Sequence, residues 1–153
     1  MLINAPNNVQ LDIKNIVLDL NGTLANYGII SEETKELIQK LKALNYRIIL
    51  ISGDIRGNAA TIAKELEIDL LLGKNSNEKA KQIQKFNSNN TAAIGNARID
   101  IGTFQNAILS IATLQQEGIH TDIIKYVDII VPSIEDALRL FIDTKSIEGT
   151  LRI

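Results

Sequence analysis

The chain has 153 residues, of which 45% are hydrophobic and 22% charged, and its formal net charge at pH 7 is −2. This length suits one domain with a single substantial core, and the slight negative charge argues against a nucleic-acid-binding surface. The sequence contains no cysteine and one histidine, His120, so neither a disulfide framework nor a zinc site with ordinary ligands can be assembled.

The beginning of the sequence predicts a hairpin rather than a targeting segment. Residues 2–5 and 9–13 are of strand type and flank Pro6-Asn7-Asn8, which are turn residues. The first residues lack a basic start, and no apolar run approaches membrane-spanning length. We therefore expect a cytoplasmic protein without membrane contact, with one domain over residues 1–153 that consists of a hairpin (1–14) and a core (15–153).

Apolar runs of strand length recur along the core, with helical patterns between them. The runs cover residues 15–20, 47–51, 68–72, 91–94, 107–111 and 127–131. Continuous rather than alternating apolarity is typical of parallel strands that are buried on both faces. The sequence therefore predicts an α/β fold, namely a three-layer, doubly wound and mainly parallel sheet.

The clearest helical pattern covers residues 31–44, where Ser31 is a good N-cap and leucine and isoleucine residues share one face. Further helices are predicted at 57–67, at 77–86, in part of 113–125, and at 133–142. In the last of these, Ser133 is the expected N-cap, and Glu135 and Asp136 face the positive end of the helix dipole.

Asp19 directly follows the first of the core runs and opens the segment Asp19-Leu20-Asn21-Gly22-Thr23-Leu24. Ligands of open parallel sheets gather beyond the carboxyl ends of the strands, and Gly22 lets the backbone turn tightly enough to expose the Asp19 side chain. A carboxylate in this place can attack phosphorus and form an aspartyl-phosphate. Taken alone, the segment does not decide between this role and a simple turn at Asn21-Gly22.

Three later segments favour the catalytic interpretation. Ser52 ends the second core run, Lys79 opens a helical pattern, and residues 95–100 follow the fourth run. Singly, these would be a turn serine, a solvated helix lysine and a loop. Together with Asp19 they supply what phosphoryl transfer needs: a nucleophile, donors for the phosphoryl oxygens, a cation, and oxygen ligands for Mg²⁺.

The order and spacing of these segments resemble the haloacid dehalogenase-like (HAD-like) superfamily. Over nearly the whole chain, the resemblance is greatest to small soluble proteins related to the phosphorylation domain of P-type ATPases. It implies a capless, HAD-like Rossmannoid core and a Mg²⁺-dependent phosphomonoester hydrolase with Asp19 as nucleophile. It also implies a phosphate site made of Ser52, Gly53, Lys79 and Thr23. Lys74 is the alternative to Lys79 in this site.

Two positions depart from the superfamily's pattern. Asn21 replaces the aspartate that usually protonates the leaving oxygen and activates water, and Asn96 replaces the first acid of the metal-binding loop. The resemblance then implies that the ligands of Mg²⁺ are Asp19, Asn21, Asn96 and Asp100. Binding should be weakened, because amides attract the ion less than carboxylates do. General acid–base catalysis typically contributes ~10²–10⁴-fold, so we expect slow turnover or a persistent aspartyl-phosphate.

Three functions remain open at this point. The first is the slow phosphatase, acting on a phosphorylated substrate of unknown identity. The second is a catalytically weakened regulatory module that binds phosphate or a partner, and the third is a protein whose phosphorylated Asp19 serves as a signal. No segment is long enough for a cap, so the pocket should be open unless a homo-oligomer covers it. Tyr27 is either a flap that contacts substrate or a surface tyrosine.

Overall fold

The computed structural model describes residues 2–5 and 9–152. The N-terminal strands β1 (Leu2–Ala5) and β2 (Val9–Asp12) pair in antiparallel fashion, as the predicted hairpin requires. The predicted turn at Pro6-Asn7-Asn8 lies outside the described residues. Ile3 and Leu11 are buried in the main core, so the hairpin is packed onto the rest of the chain.

The centre of the fold is a sheet of six parallel strands. In chain order these are β3 (Asn15–Leu18), β4 (Arg47–Ser52), β5 (Asp69–Leu72), β6 (Thr91–Gly95), β7 (Leu109–Thr113) and β8 (Ile129–Val131). Their order across the sheet is β5-β4-β3-β6-β7-β8. From β3 the chain proceeds to one side, and from β6 to the other. The crevice between β3 and β6 is therefore the switch point at which open sheets bind ligands.

Helices cover both faces of the sheet and complete three layers. One face carries α1 (Glu32–Ala43), α2 (Ala59–Leu66), α5 (Ile134–Leu140) and α6 (Thr144–Thr150), and the other carries α3 (Ser76–Ile83) and α4 (Ile101–Phe104). Alternate residues of β3 show this division, because Ile16 and Leu18 join the larger core cluster whereas Val17 joins the smaller one. The predicted doubly wound α/β fold is confirmed.

The predicted caps at Ser31 and Ser133 are present. The Ser31 side chain accepts a hydrogen bond from the Thr34 N–H at the start of α1, and Ser133 accepts one from the Asp136 N–H at the start of α5. The longest helix in the described residues, α1, has 12 residues, and none of the helices there is a candidate for spanning a membrane.

The helix predicted in part of residues 113–125 is present only as a short 3₁₀ helix. Strand β7 continues to Thr113, an irregular loop follows, and only a 3₁₀ turn forms at Thr121–Tyr126, with His120 as its N-cap. The loop does not form a helix, because Gln115 turns inward to donate to the Thr23 carbonyl and Gly118 adopts a φ of +81°. Sequence reasoning also missed α4 and α6, which are short.

Candidate active site

The ammonium group of Lys79 lies between two carboxylates. Its Nζ is 2.5 Å from Asp19 Oδ1 and 2.7 Å from Asp100 Oδ1. All three residues are buried, with exposed fractions of 8% for Asp19 and 1% for the other two. Removal of charged groups from water is costly unless they are paired, and here one cation serves two anions. The ionised triad therefore keeps one uncompensated negative charge at the switch point.

Local structure explains how the triad assembles. The Asp19 N–H donates to the Ile94 carbonyl at 3.0 Å, which fixes the nucleophile candidate beside β6. Lys79 lies in the first turn of α3, whose N-cap Asn75 accepts a hydrogen bond from the Glu78 N–H. A Cβ atom at Gly73 would lie 2.9 Å from the backbone nitrogen of Lys79, so a glycine is needed where α3 approaches the loop after β5. Lys74, the rival lysine, is exposed.

Both carboxylate oxygens of Asp100 are engaged by the protein. Oδ1 accepts from Lys79, and Oδ2 accepts from the backbone N–H groups of Asn96 and Ala97 at 3.0 and 2.9 Å. A Cβ atom at Gly95 would lie 2.6 Å from Oδ2, which explains the glycine that precedes this loop. In this arrangement Asp100 holds Lys79 in place and fixes the loop after β6.

The amide of Asn96 is engaged at both ends. Its Oδ1 accepts from the Thr23 hydroxyl at 3.1 Å, and its Nδ2 donates to the Gly118 carbonyl at 2.7 Å. A Cβ atom at Gly22, where φ is +75°, would lie 2.4 Å from Nδ2. An aspartate at position 96 would have no hydrogen to offer Gly118, so an amide suits this packing.

The other phosphate-site candidates lie on or next to β3 and β4. Ser52 is fully buried, and its Oγ accepts from the Asp54 N–H at 2.9 Å, a contact that a turn serine would also make. In the part of the chain that the structure describes, no acceptor takes the hydroxyl hydrogen of Ser52, whereas Thr23 donates its own to Asn96. Gly53 begins the loop that follows β4.

Asn21 is linked to two residues that sequence reasoning missed, directly to Arg56 and through Arg56 to Glu117. Its Oδ1 accepts from Arg56 Nε at 2.8 Å, and the Arg56 guanidinium pairs with Glu117 at 3.2 Å. Glu117 in turn accepts from the Tyr27 N–H at 2.5 Å. The only signal in the sequence is positional, since Arg56 and Glu117 follow the second and fifth core strands, whose carboxyl ends share the edge at which Asp19 lies.

Burial raises the pKa of Asp19 from its ordinary value of 3.8 to about 7, and the neighbouring Asp100 carboxylate adds to the rise although Lys79 opposes it. For Lys79, burial by itself would lower the pKa. The carboxylates of Asp100 and Asp19 outweigh burial, and they hold the pKa of Lys79 above its ordinary value. The ammonium thus stays charged at neutral pH, while the Asp19 carboxyl needs further positive charge to ionise fully.

The four metal-ligand candidates offer a reduced donor set. Within residues 2–5 and 9–152, no three His, Cys, Asp or Glu side chains come together as a metal cluster. The side chains of Asn96 and Asp100 are already engaged, and Asn21 Oδ1 accepts from Arg56. Asp19 gives only Oδ1 to Lys79, and the Asn21 main-chain carbonyl accepts no hydrogen bond from the described part of the chain. One carboxylate and one carbonyl suit Mg²⁺ that a phosphate group also binds.

Comparison with known proteins bears on the same residues. The family model described as haloacid dehalogenase-like hydrolase matches residues 16–77. A copper-exporting P-type ATPase of Staphylococcus haemolyticus is 31% identical over 96 residues, which are 61% of this chain and 12% of that much longer protein. The resemblance to HAD-like proteins is confirmed. The residues that the family model matches include Asp19, Asn21 and Ser52, whereas Lys79 and Asp100 lie beyond them.

Solved structures agree with the fold of this chain. The cobalt-bound deoxy-D-mannose-octulosonate 8-phosphate phosphatase of Haemophilus influenzae has a TM-score of 0.75 at 16% identity and is matched over 89% of this chain and 91% of that one. The 3-deoxy-D-manno-octulosonate 8-phosphate phosphatase of Moraxella catarrhalis, solved with magnesium and phosphate, has a TM-score of 0.71 at 17% identity over 92% and 90% of the two chains. At such identities, the likeness shows the fold alone.

Proposed function

We propose that this protein is a Mg²⁺-dependent phosphomonoester hydrolase that acts through an aspartyl-phosphate on Asp19. The observation that supports the proposal most strongly is the buried Lys79 ammonium, which pairs with Asp19 beside the switch point of the sheet. A fixed cation next to a carboxylate nucleophile provides the charge stabilisation that phosphoryl transfer requires from a protein.

The reaction consists of two displacements at phosphorus. In the first, a carboxylate oxygen of Asp19 attacks, the bond from phosphorus to the ester oxygen breaks, and the departing alkoxide takes a proton from water. In the second, water attacks phosphorus, the bond to the Asp19 oxygen breaks, and inorganic phosphate leaves with the proton going to solvent. Asn21 can neither give nor take a proton, so both steps lack general acid–base help of ~10²–10⁴-fold.

The surrounding residues have separable roles in this proposal. Lys79 neutralises the nucleophile and the transferred phosphoryl group, and the Ser52 hydroxyl donates to a phosphoryl oxygen. Asp100 is a positioning residue, because its carboxylate is already shared between Lys79 and the backbone of the loop after β6. Mg²⁺, when bound by the Asp19 carboxylate and the Asn21 carbonyl, supplies positive charge to the phosphoryl oxygens.

The substrate we propose is a phosphate monoester of a small molecule. In the described residues, a single helix and a single strand separate Asp19 from Ser52, and the same holds between Ser52 and Lys79. Neither interval contains a cap, so this part of the chain leaves the pocket open at the carboxyl edge. Phosphatases of similar fold that act on a sugar-acid phosphate support this class of substrate, but they do not identify the compound.

A regulatory module that binds phosphate without turnover is the second candidate. The observation that favours it is the packing of the two amides, because Asn21 and Asn96 are both hydrogen-bonded where the superfamily usually has acids. Such a module would bind inorganic phosphate or a phosphorylated partner and would release no product. Phosphorylation of Asp19 as a signal is the third candidate.

The release of p-nitrophenol from its phosphate ester, with and without Mg²⁺, tests the proposal. We expect slow, Mg²⁺-dependent release that Asp19→Asn abolishes. Asp69→Asn is the matched control, because it makes the same chemical change at an exposed carboxylate. Asp69 begins β5, at the amino ends of the strands and away from the site. Phosphate binding without Asp19-dependent release would contradict the hydrolase and favour the regulatory module.

A further inference from the structure

We infer that Arg56 is a positioning residue, which fixes the Asn21 amide so that its N–H₂ group serves as a hydrogen-bond donor to the phosphate of the substrate. The inference rests on the proposed function, since it assigns a role within that same site. It goes beyond that function because it gives Asn21 a positive role in place of a missing acid. It also gives a role to a residue for which the sequence carries no motif.

The contact between Arg56 and Asn21 settles the orientation of the amide. A guanidinium group has only donors, so the atom of Asn21 that faces Arg56 Nε at 2.8 Å must be the amide oxygen. The Nδ2 group then lies on the other branch of the planar amide, directed away from Arg56. Among residues 2–5 and 9–152, this group has no hydrogen-bond partner. The donor is thus free for a ligand.

Arg56 is itself held from two other loops. Its second nitrogen pairs with both carboxylate oxygens of Glu117, at 3.3 and 3.2 Å. The Glu117 side chain is only 18% exposed and also accepts from the Tyr27 N–H. A lone surface arginine would sample many rotamers, whereas this one is tied to residues that follow β3 and β7. Such ties reduce the entropy lost when Asn21 is held in one orientation.

The chemistry expected of a fixed amide donor differs from that of an acid. It can donate to an oxygen of the phosphoryl group or to the ester oxygen as charge develops there, but no proton is transferred. Loss of one such donor commonly costs ~10²-fold in kcat in buried sites, and the half-buried position of Asn21 reduces this to about tenfold. Arg56 would act on the reaction only through Asn21.

A kinetic double-mutant cycle tests whether Arg56 acts through Asn21. The variants Arg56→Gln, Asn21→Ala and the double variant are compared for Mg²⁺-dependent p-nitrophenyl phosphate hydrolysis. We expect each single variant to lower kcat about tenfold, with little change in KM, and the double variant to be no worse than Asn21→Ala. Additive losses, or an effect of Asn21→Ala without one of Arg56→Gln, would overturn the inference.

Two further variants exclude a merely structural effect. Arg56→Lys keeps a donor to Asn21 Oδ1, and we expect it to recover most of the lost kcat. Arg47→Gln removes another exposed, ion-paired arginine, which begins β4 at the amino ends of the strands, and we expect it to leave kcat unchanged. Equal losses in Arg56→Gln and Arg47→Gln would show that only general destabilisation is being measured, and they would count against the inference.

A spectroscopic measurement does not depend on turnover. The side-chain amide signals of Asn21, assigned by their loss in Asn21→Ala, are followed by NMR during titration with inorganic phosphate and Mg²⁺. We expect them to shift in the wild-type protein and not in Arg56→Gln, while backbone signals near Ser52 shift in both. If phosphate moves the Ser52 signals but never the Asn21 amide, the inference is wrong and the proposed function stands. If it moves neither, both are wrong.

Discussion

The Lys79 ammonium lies 2.5 Å from a carboxylate oxygen of Asp19, although the two residues are 60 positions apart in the sequence. Two elements bring the residues together: Asp19 follows the end of β3, and Lys79 lies in the first turn of α3. The contact joins the segment that the HAD-like family model matches, residues 16–77, to the part of the chain that follows it. It is the centre of the proposed chemistry.

Replacement of Lys79 by methionine should abolish hydrolysis and destabilise the protein. The cation that neutralises nucleophile and phosphate is lost, so we expect kcat to fall at least ~10³-fold. Two buried carboxylates are left facing each other, which should cost about 3–5 kcal/mol of unfolding free energy in the metal-free protein. Lys74→Met is the control at the exposed rival position. Equal activity of the two variants would refute the role of Lys79.

Replacement of Gly22 by alanine should disturb the site through Asn96. The new Cβ would lie 2.4 Å from Asn96 Nδ2, in addition to the strain of a positive φ. Gly57→Ala is a matched control, because Gly57 also has a positive φ but nothing within 4 Å of its Cβ position. We expect thermal denaturation to show a loss of about 1 kcal/mol for Gly57→Ala and about 2–4 kcal/mol for Gly22→Ala. Equal losses would mean that Asn96 moves away freely.

Introduction of an acid at position 96 should lower the stability of the metal-free protein and increase the stabilisation that Mg²⁺ provides. Asn96→Asp loses the donor to the Gly118 carbonyl and adds a second uncompensated charge, so the melting temperature should fall without metal. Added Mg²⁺ should then raise it more than in the wild type, because binding to the folded state is stabilising. Asn106→Asp loses a comparable amide bond, to Gly102, and should show the fall without the Mg²⁺ response.

The raised pKa of Asp19 predicts a specific pH dependence of stability. Between its ordinary value of 3.8 and about 7, the folded state binds more protons at Asp19 than the unfolded state does, so this group makes stability fall as pH rises. With EDTA present, wild-type unfolding free energy should lose on the order of 2–4 kcal/mol from this source between about pH 4 and pH 8. Asp19→Asn should lack this loss, and Asp69→Asn should retain it. Parallel pH curves for all three proteins would contradict the buried triad.

Much of the fold could be predicted from local pattern. Uninterrupted apolar runs revealed the six parallel strands, and Ser31 and Ser133 marked two helix starts, because strand burial and capping are properties of neighbouring residues. The loop after β7 could not be predicted in this way. Its shape depends on Gln115 reaching the Thr23 carbonyl, which is 92 positions away.

The candidate site divides along the same line. Asp19, Lys79 and Asp100 were singled out because the order and spacing of their segments resemble the HAD-like superfamily, and the structure brings them together. The hydrogen-bonding partners of these residues could not be singled out, because hydrogen bonds between loops leave no periodic pattern in the sequence. Asp100 as a metal ligand stays a prediction, and the structure adds that both of its oxygens accept hydrogen bonds, from Lys79 and from the backbone. The tie between Arg56 and Asn21 was equally invisible.

Intact-mass spectrometry after incubation with acetyl phosphate and Mg²⁺ tests most directly whether Asp19 is a phosphoryl-accepting nucleophile. The wild-type protein should carry an adduct of about 80 Da that decays slowly, because Asn21 cannot activate water. Asp19→Asn should show no adduct, and Asp69→Asn should behave as the wild type does. An unmodified wild-type protein that also releases no phosphate, or an adduct that survives in Asp19→Asn, would contradict the account.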